Sequence, residues 1–174
     1  MPSMARHYKR GLESLTDLLD LRPQAAAMSS PKLRLGRVSL PNNIYSITTV
    51  TAGRMPLFAN RENAGHLIEA IRHCELSGVS HSLAWVVMPD HLHWLLQLQS
   101  GSLGGCLQRL KSRSGRAIGG AGSIWQSGYH DHAIRQDESL RGVANYLLHN
   151  PVRAGLCERP QDYPYAWCSW GWQL

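Results

Sequence analysis

The chain has 174 residues, 43% of them hydrophobic, a formal net charge of +6 and a pI near 9.5. That length and apolar content suit one folded domain with a sizeable core. No apolar run approaches the roughly 20 residues needed to span a bilayer, which excludes a helical membrane protein. The basic balance points to a polyanionic partner, nucleic acid or an anionic membrane surface, and composition alone does not separate the two. The N-terminal stretch lacks the apolar segment and small-residue cleavage site of a secretory signal. Cys74, Cys106, Cys157 and Cys168 are scattered and form no C-x-x-C pair. The expectation is a cytoplasmic protein with free thiols and no zinc knuckle.

In chain order, Leu12, Leu15, Leu18 and Leu19 are spaced like one face of a short helix, and a Pro/Ala/Ser stretch follows them as a linker. Residues 1–34 therefore read as a helical or mobile extension, and 35–174 as one domain. The β-branched and aromatic run IYSITTVT from Ile44 predicts a strand that Gly53 breaks. Ala64, Leu67, Ile68 and Ile71 follow helical spacing, with Asn60 as the cap and Gly78 just past the end. SLAWVVM and HLHWLLQL are two strands joined by a tight turn at Pro89-Asp90. Leu103, Cys106, Leu107 and Leu110 mark a second helix, and SIWQSGYHDHAIR reads as a loop leading into a short extended piece. Asp137 is a plausible N-cap for a last helix through Leu140, Val143, Ala144 and Leu147, which Asn150-Pro151 should end. Strand, helix, strand, strand, helix, strand and a further helix describe an α+β, ferredoxin-like antiparallel sheet covered by helices on one face, with an extra helix.

His91 and His93 flank Leu92 on the second hairpin strand. Residues i and i+2 of a strand share a face, so the two imidazoles project together and can chelate one divalent ion. His-x-His alone is a weak signal, since two surface histidines give the same pattern. Tyr146 and Asn150 stand four residues apart, on the flank of the last helix's apolar stripe. Periodicity alone makes such a tyrosine an ordinary edge residue with a solvated hydroxyl.

AWVVMPDHLHWLLQL, WQSGYHDHAIR and YLLHNPVRAGL, in this order, together resemble the single-tyrosine HUH transposases. Within that group they resemble the REP-associated tyrosine transposases, which act on repetitive extragenic palindromes. The tail ERPQDYPYAWCSW resembles the same family, and the likeness runs from about Leu35 to Trp170. The resemblance implies an HUH nuclease fold with His91 and His93 as metal ligands, Tyr146 as the nucleophile and Asn150 as a third, polar ligand. It implies Mg2+ or Mn2+ as cofactor, and single-stranded DNA with a hairpin as substrate. A monomer is expected rather than the two-chain active site of the wider group.

The chemistry suits these groups. A free phenol has a pKa near ~10 and is a poor nucleophile at neutral pH. A divalent ion on the scissile phosphate neutralises charge on the non-bridging oxygens and orients the phosphorus. Imidazole ligands suit manganese better than magnesium, which prefers an all-oxygen shell. For DNA contact, Arg109, Arg113 and Arg116 recur along one side of the second helix, with Lys111 nearby. Trp125 is a candidate for stacking on an unpaired base, or else a core anchor. His132 and Arg135, on the expected edge strand, are further candidates. Two other functions fit the pattern less fully. One is a non-catalytic hairpin-binding protein or repressor. The other is a metal-dependent hydrolase that activates water.

Overall fold

The structure is a computed structural model, and it describes residues 39–119 and 122–172. The expected N-terminal helix or arm lies outside the described residues. Five strands form one sheet: β1 (Ile44–Val50), β2 (Ser80–Met88), β3 (His91–Leu98), β4 (His130–Ala133) and β5 (Ala166–Cys168). Their order is β4-β1-β3-β2-β5, and every neighbouring pair is antiparallel. The helices are α1 (Arg61–Leu76), α2 (Leu103–Ile118), α3 (Leu140–Leu148) and the single turn α4 (Asn150–Arg153). The expected α+β, ferredoxin-like order is therefore the observed one.

Alternation sorts the sheet residues onto two faces. Tyr45, Ile47 and Thr49 of β1 are buried while their neighbours are only partly so, as a period of two requires. Tyr45 and Ile47 belong to one core cluster with Trp85, Val87, Leu92, Trp94, Leu96 and Leu98 of the central strands. Ala64, Leu67 and Ile71 of α1, and Leu103, Cys106, Leu107 and Leu110 of α2, close that core. Trp94 is fully buried there, and its indole N–H donates to Ser82 Oγ at 2.9 Å. The ends of the two helices are fixed by local chemistry. Asn60 Oδ1 accepts from the backbone N–H of Glu62 and Asn63, Ser102 Oγ accepts from Gly105, and Gly78 takes the left-handed φ of 65° just past α1.

The opposite face carries Ala84, Val86 and Leu95, all buried yet outside that cluster. Helix α3 lies against β2 and buries Val143, Ala144, Leu147 and Leu148. Both faces of the central strands are thus covered, which explains the almost continuous burial of β2 and β3.

Three sequence expectations change. The N-cap of α3 is Ser139, whose Oγ accepts from Gly142 N–H at 3.1 Å, and not Asp137. Pro151 does not end the helical path. The helix α3 stops at Leu148, and His149 leads into α4, where Pro151 occupies an early position that needs no N–H. The tail adds an edge strand, β5, that pairs Trp167 with Trp85.

Candidate active site

The hairpin loop Pro89-Asp90 is pinned from outside. The carbonyl of Pro89 accepts from Phe58 N–H, and that of Asp90 from Thr51 N–H, both at 2.9 Å. Strand β3 leaves this fixed turn with His91, so the first imidazole starts from a rigid point. Leu92 turns into the helical core, while His91 and His93 point to the other face, as the two-residue period requires. Their rings meet edge to face with centroids 4.7 Å apart, and their Nε2 atoms stand 3.0 Å apart.

Each ring is held by its other nitrogen. His91 Nδ1 lies 2.5 Å from Asp90 Oδ1, and Asp90 Oδ2 accepts from Arg54 at 3.0 Å. A carboxylate only accepts, so His91 carries its proton on Nδ1 and offers a lone pair at Nε2. That hydrogen bond from His91, with help from Arg54, holds Asp90 below the usual carboxylate range. His93 Nδ1 lies 2.9 Å from Thr48 Oγ1, because Thr48 faces His93 directly across the β1–β3 register. Burial first, then the neighbouring His91 ring and the charge of Arg153, push His93 down to about 3. Its imidazole is therefore neutral at any physiological pH, the form a metal ligand needs.

The facing Nε2 atoms determine the tautomers. With no cation between them, one must carry a proton. His91 has spent its proton on Asp90, so His93 Nε2–H donates and Thr48 donates its hydroxyl to His93 Nδ1. Were a cation to share both lone pairs, His93 would take the other tautomer and donate Nδ1–H to Thr48. A threonine hydroxyl serves both states, since it donates and accepts. The separation also fits a shared ion. Two nitrogens each about 2.1 Å from one ion at right angles stand about 3.0 Å apart. Among the described residues no group of three or more His, Cys, Asp and Glu side chains is placed to hold a metal. A further protein ligand would have to be of another kind, such as an amide.

Tyr146 is half-buried on α3. Asn150 opens α4, and its side chain is fixed at both ends. Its Nδ2 donates to the Leu147 carbonyl at 2.8 Å, which satisfies one of the free carbonyls at the end of α3. Its Oδ1 accepts from Arg153 Nη2 at 2.9 Å, leaving one lone pair. Arg153 also donates to the Tyr146 carbonyl at 3.0 Å, and its guanidinium carbon sits 4.0 Å from the centre of the Tyr146 ring. Because Arg153's charge bears on His93, the α3–α4 segment lies within electrostatic reach of the histidine pair. Thr48, Arg54, Asp90 and Arg153 join the candidate site through the structure; Asp90 and Arg153 lie inside the quoted family motifs without a role assigned to them there, and Thr48 and Arg54 lie outside them.

The DNA-contact candidates scatter. Arg109, Arg113 and Arg116 are exposed on the outer side of α2, which covers the sheet face away from the histidines. Lys111 is only partly exposed; its ammonium donates to the carbonyls of Gln126 and Gly128, so it is anchored to that loop. Trp125 does not offer a stacking face. It is 4% exposed, lies against Phe58 at 5.3 Å and donates to Ser114 Oγ at 3.0 Å. It is the core anchor of its loop. His132 sits on β4 opposite Ser46, on the histidine side of the sheet, and pairs with Glu138 at 2.9 Å. Arg135 is exposed beyond that strand, its backbone N–H bound to the same Glu138.

No family model matches the chain. A REP-associated tyrosine transposase of Escherichia coli is 32% identical over 85 residues, covering 48% of this chain and 51% of its own length. A protein of Haemophilus influenzae, assigned provisionally to the same family, is 29% identical over 103 residues, covering 49% and 57%. The chain thus spans about half the length of the curated relatives it matches. Among solved structures, a REP-associated tyrosine transposase bound to a REP hairpin superposes with a TM-score of 0.65 at 26% identity. That match covers 75% of this chain and 79% of the other. Over about half its length in sequence, and over three quarters of it in fold, the chain is similar to the REP-associated tyrosine transposases.

Proposed function

We propose that the chain cuts and rejoins single-stranded DNA beside a hairpin, through a 5′-phosphotyrosine formed on Tyr146. One observation carries this reading: two imidazole Nε2 atoms converge to 3.0 Å, each ring fixed through Nδ1, on a fold shared with a hairpin-bound transposase. His91 and His93 would hold a divalent cation, Mn2+ or Mg2+, with the remaining lone pair of Asn150 Oδ1 as a third ligand. That ion would neutralise charge on the scissile phosphate and orient it for in-line attack.

The chain's own groups do the rest. Tyr146 Oη forms a bond to phosphorus as the bond to the 3′-oxygen breaks. The phenol loses its proton, and the departing oxygen takes one up as a 3′-hydroxyl. The ester keeps the bond energy, so a 3′-hydroxyl can attack it in reverse and reseal the strand without ATP. Asp90 and Thr48 hold the imidazoles in place, and Arg109, Arg113 and Arg116 would add phosphate contacts that carry no sequence information.

A 3′-labelled oligonucleotide carrying a REP hairpin and its flanking single strand tests the reading. In Mn2+ the label should stay with the protein after denaturation, and EDTA should abolish this. Binding without any adduct would favour a non-catalytic hairpin binder. Cleavage without an adduct would favour an activated-water hydrolase.

A further inference from the structure

The Arg153 side chain touches both the proposed nucleophile and the proposed third ligand. Its Nη2 spends its two hydrogens on the Tyr146 carbonyl and Asn150 Oδ1. The guanidinium lies over the Tyr146 ring at 4.0 Å. Yet the residue is exposed, and its Nε and Nη1 donors have no partner among the described residues. No carboxylate among the described residues pairs with it. Arg54, Arg72 and Arg159 each have an acidic partner; Arg153 is instead an exposed cation anchored by two oxygen acceptors and left unneutralised.

A guanidinium held this way keeps single charge-assisted N–H donors, at Nε and at Nη1, that suit a phosphate oxygen. The backbone explains the placement. Pro151 starts a new turn immediately after α3, which swings Arg153 back over Tyr146, seven residues earlier. The cap on the last turn of α3 uses Nη2 alone, which leaves Nε and Nη1 available to a ligand.

We propose that Arg153 is a substrate-contacting residue, one of whose free donors, Nε or Nη1, binds a non-bridging oxygen of the phosphate that Tyr146 attacks. This rests on the proposed strand-cleavage reading. The phosphate would then be held from two sides, by the cation on the histidine pair and by Arg153. As the phenol oxygen bonds to phosphorus, Arg153 would stabilise charge on the oxygen facing it. Loss of one such donor group slows comparable reactions by about 100-fold or more.

The test measures single-turnover adduct formation in Mn2+ on the REP-hairpin oligonucleotide. One substrate has a normal phosphodiester at the cleaved position; the others have each methylphosphonate diastereomer, which removes one non-bridging charge. Arg153→Ala should slow the normal substrate by about 100-fold or more. One diastereomer should slow the wild type comparably, yet slow Arg153→Ala hardly further, because the guanidinium that would have met that oxygen is already absent. Arg153→Lys keeps the charge and should fall between the two, with the same loss of additivity in reduced form. It serves if the alanine variant fails to fold. Effects that multiply for both diastereomers would make Arg153 a structural cap and overturn the proposal, as would wild-type rates in Arg153→Ala. If the wild type forms no adduct on the normal substrate, the cleavage reading itself fails, and this proposal with it.

Discussion

Thr48→Val separates the support of the histidine pair from the pair itself. Valine keeps the shape and β-propensity of threonine but removes the hydroxyl facing His93 Nδ1 at 2.9 Å. In either tautomer that nitrogen then loses its partner, in a residue only 7% exposed. Leaving one buried polar atom unpaired should lower folding stability by about 1–3 kcal/mol. The second loss is specific to function. Without the hydroxyl, nothing holds the His93 ring so that Nε2 meets that of His91, and removing such an outer partner weakens metal binding by about 10–100-fold. Calorimetric titration with Mn2+, beside urea denaturation without metal, measures both quantities. Thr48→Ser should retain most of the affinity. Wild-type Mn2+ affinity in Thr48→Val, with binding abolished in His93→Ala, would refute the idea that Thr48 orients the ligand.

Acid should weaken the metal-free fold through His93. Its folded value is about 3, below the ordinary ~6.5, so the unfolded chain takes a proton that the folded chain refuses. This contribution is complete above about pH 6.5 and is lost at about 1.4 kcal/mol per pH unit as pH falls toward 3. Asp90, also depressed, is lost in the same direction at lower pH. Unfolding free energies from urea titrations at pH 7 and pH 5 should thus differ by about 2 kcal/mol more in the wild type than in His93→Gln; equal differences would contradict the buried, neutral imidazole. Replacing Arg109, Arg113 and Arg116 together by Ala should lower the salt slope of hairpin binding by about 0.9 for each duplex phosphate that is no longer neutralised. Cleavage at saturating DNA should stay near the wild-type rate, because the stripe is on the far face of the sheet. Trp125→Ala should destabilise the fold by about 3–5 kcal/mol, measured by denaturation, whereas a base-stacking tryptophan would leave stability intact and weaken only DNA binding.

The fold was legible where periodicity and punctuation agree. Asn60 and Gly78 bracket α1 in the sequence as they do in the structure, and the His91-Leu92-His93 alternation sets both imidazoles on one face. Strand β5 was not legible, since three residues are too few to show alternation. Ser139 captured the α3 cap because its hydroxyl reaches Gly142 N–H; Asp137 lies too early for that. Thr48 belongs to the site only through strand register, 45 residues from His93, and no local pattern reveals such a partner. Arg153 was hidden by the assumption that proline ends a helical path; a proline that opens the next turn brings it back over Tyr146. Trp125 misled because a tryptophan in a basic chain suggests nucleic acid, while its burial depends on Phe58, Ser114 and an isolated bridge to Thr51.

The most direct measurement is the site of the covalent bond. Wild-type protein, Mn2+ and hairpin-bearing single-stranded DNA are reacted, nuclease-trimmed and digested with trypsin, and the peptides are analysed by mass spectrometry. The account predicts a nucleotide phosphoester on Tyr146, absent in Tyr146→Phe, which should still bind the hairpin with wild-type affinity. An adduct on another residue, or cleavage by Tyr146→Phe at the wild-type rate, would contradict it.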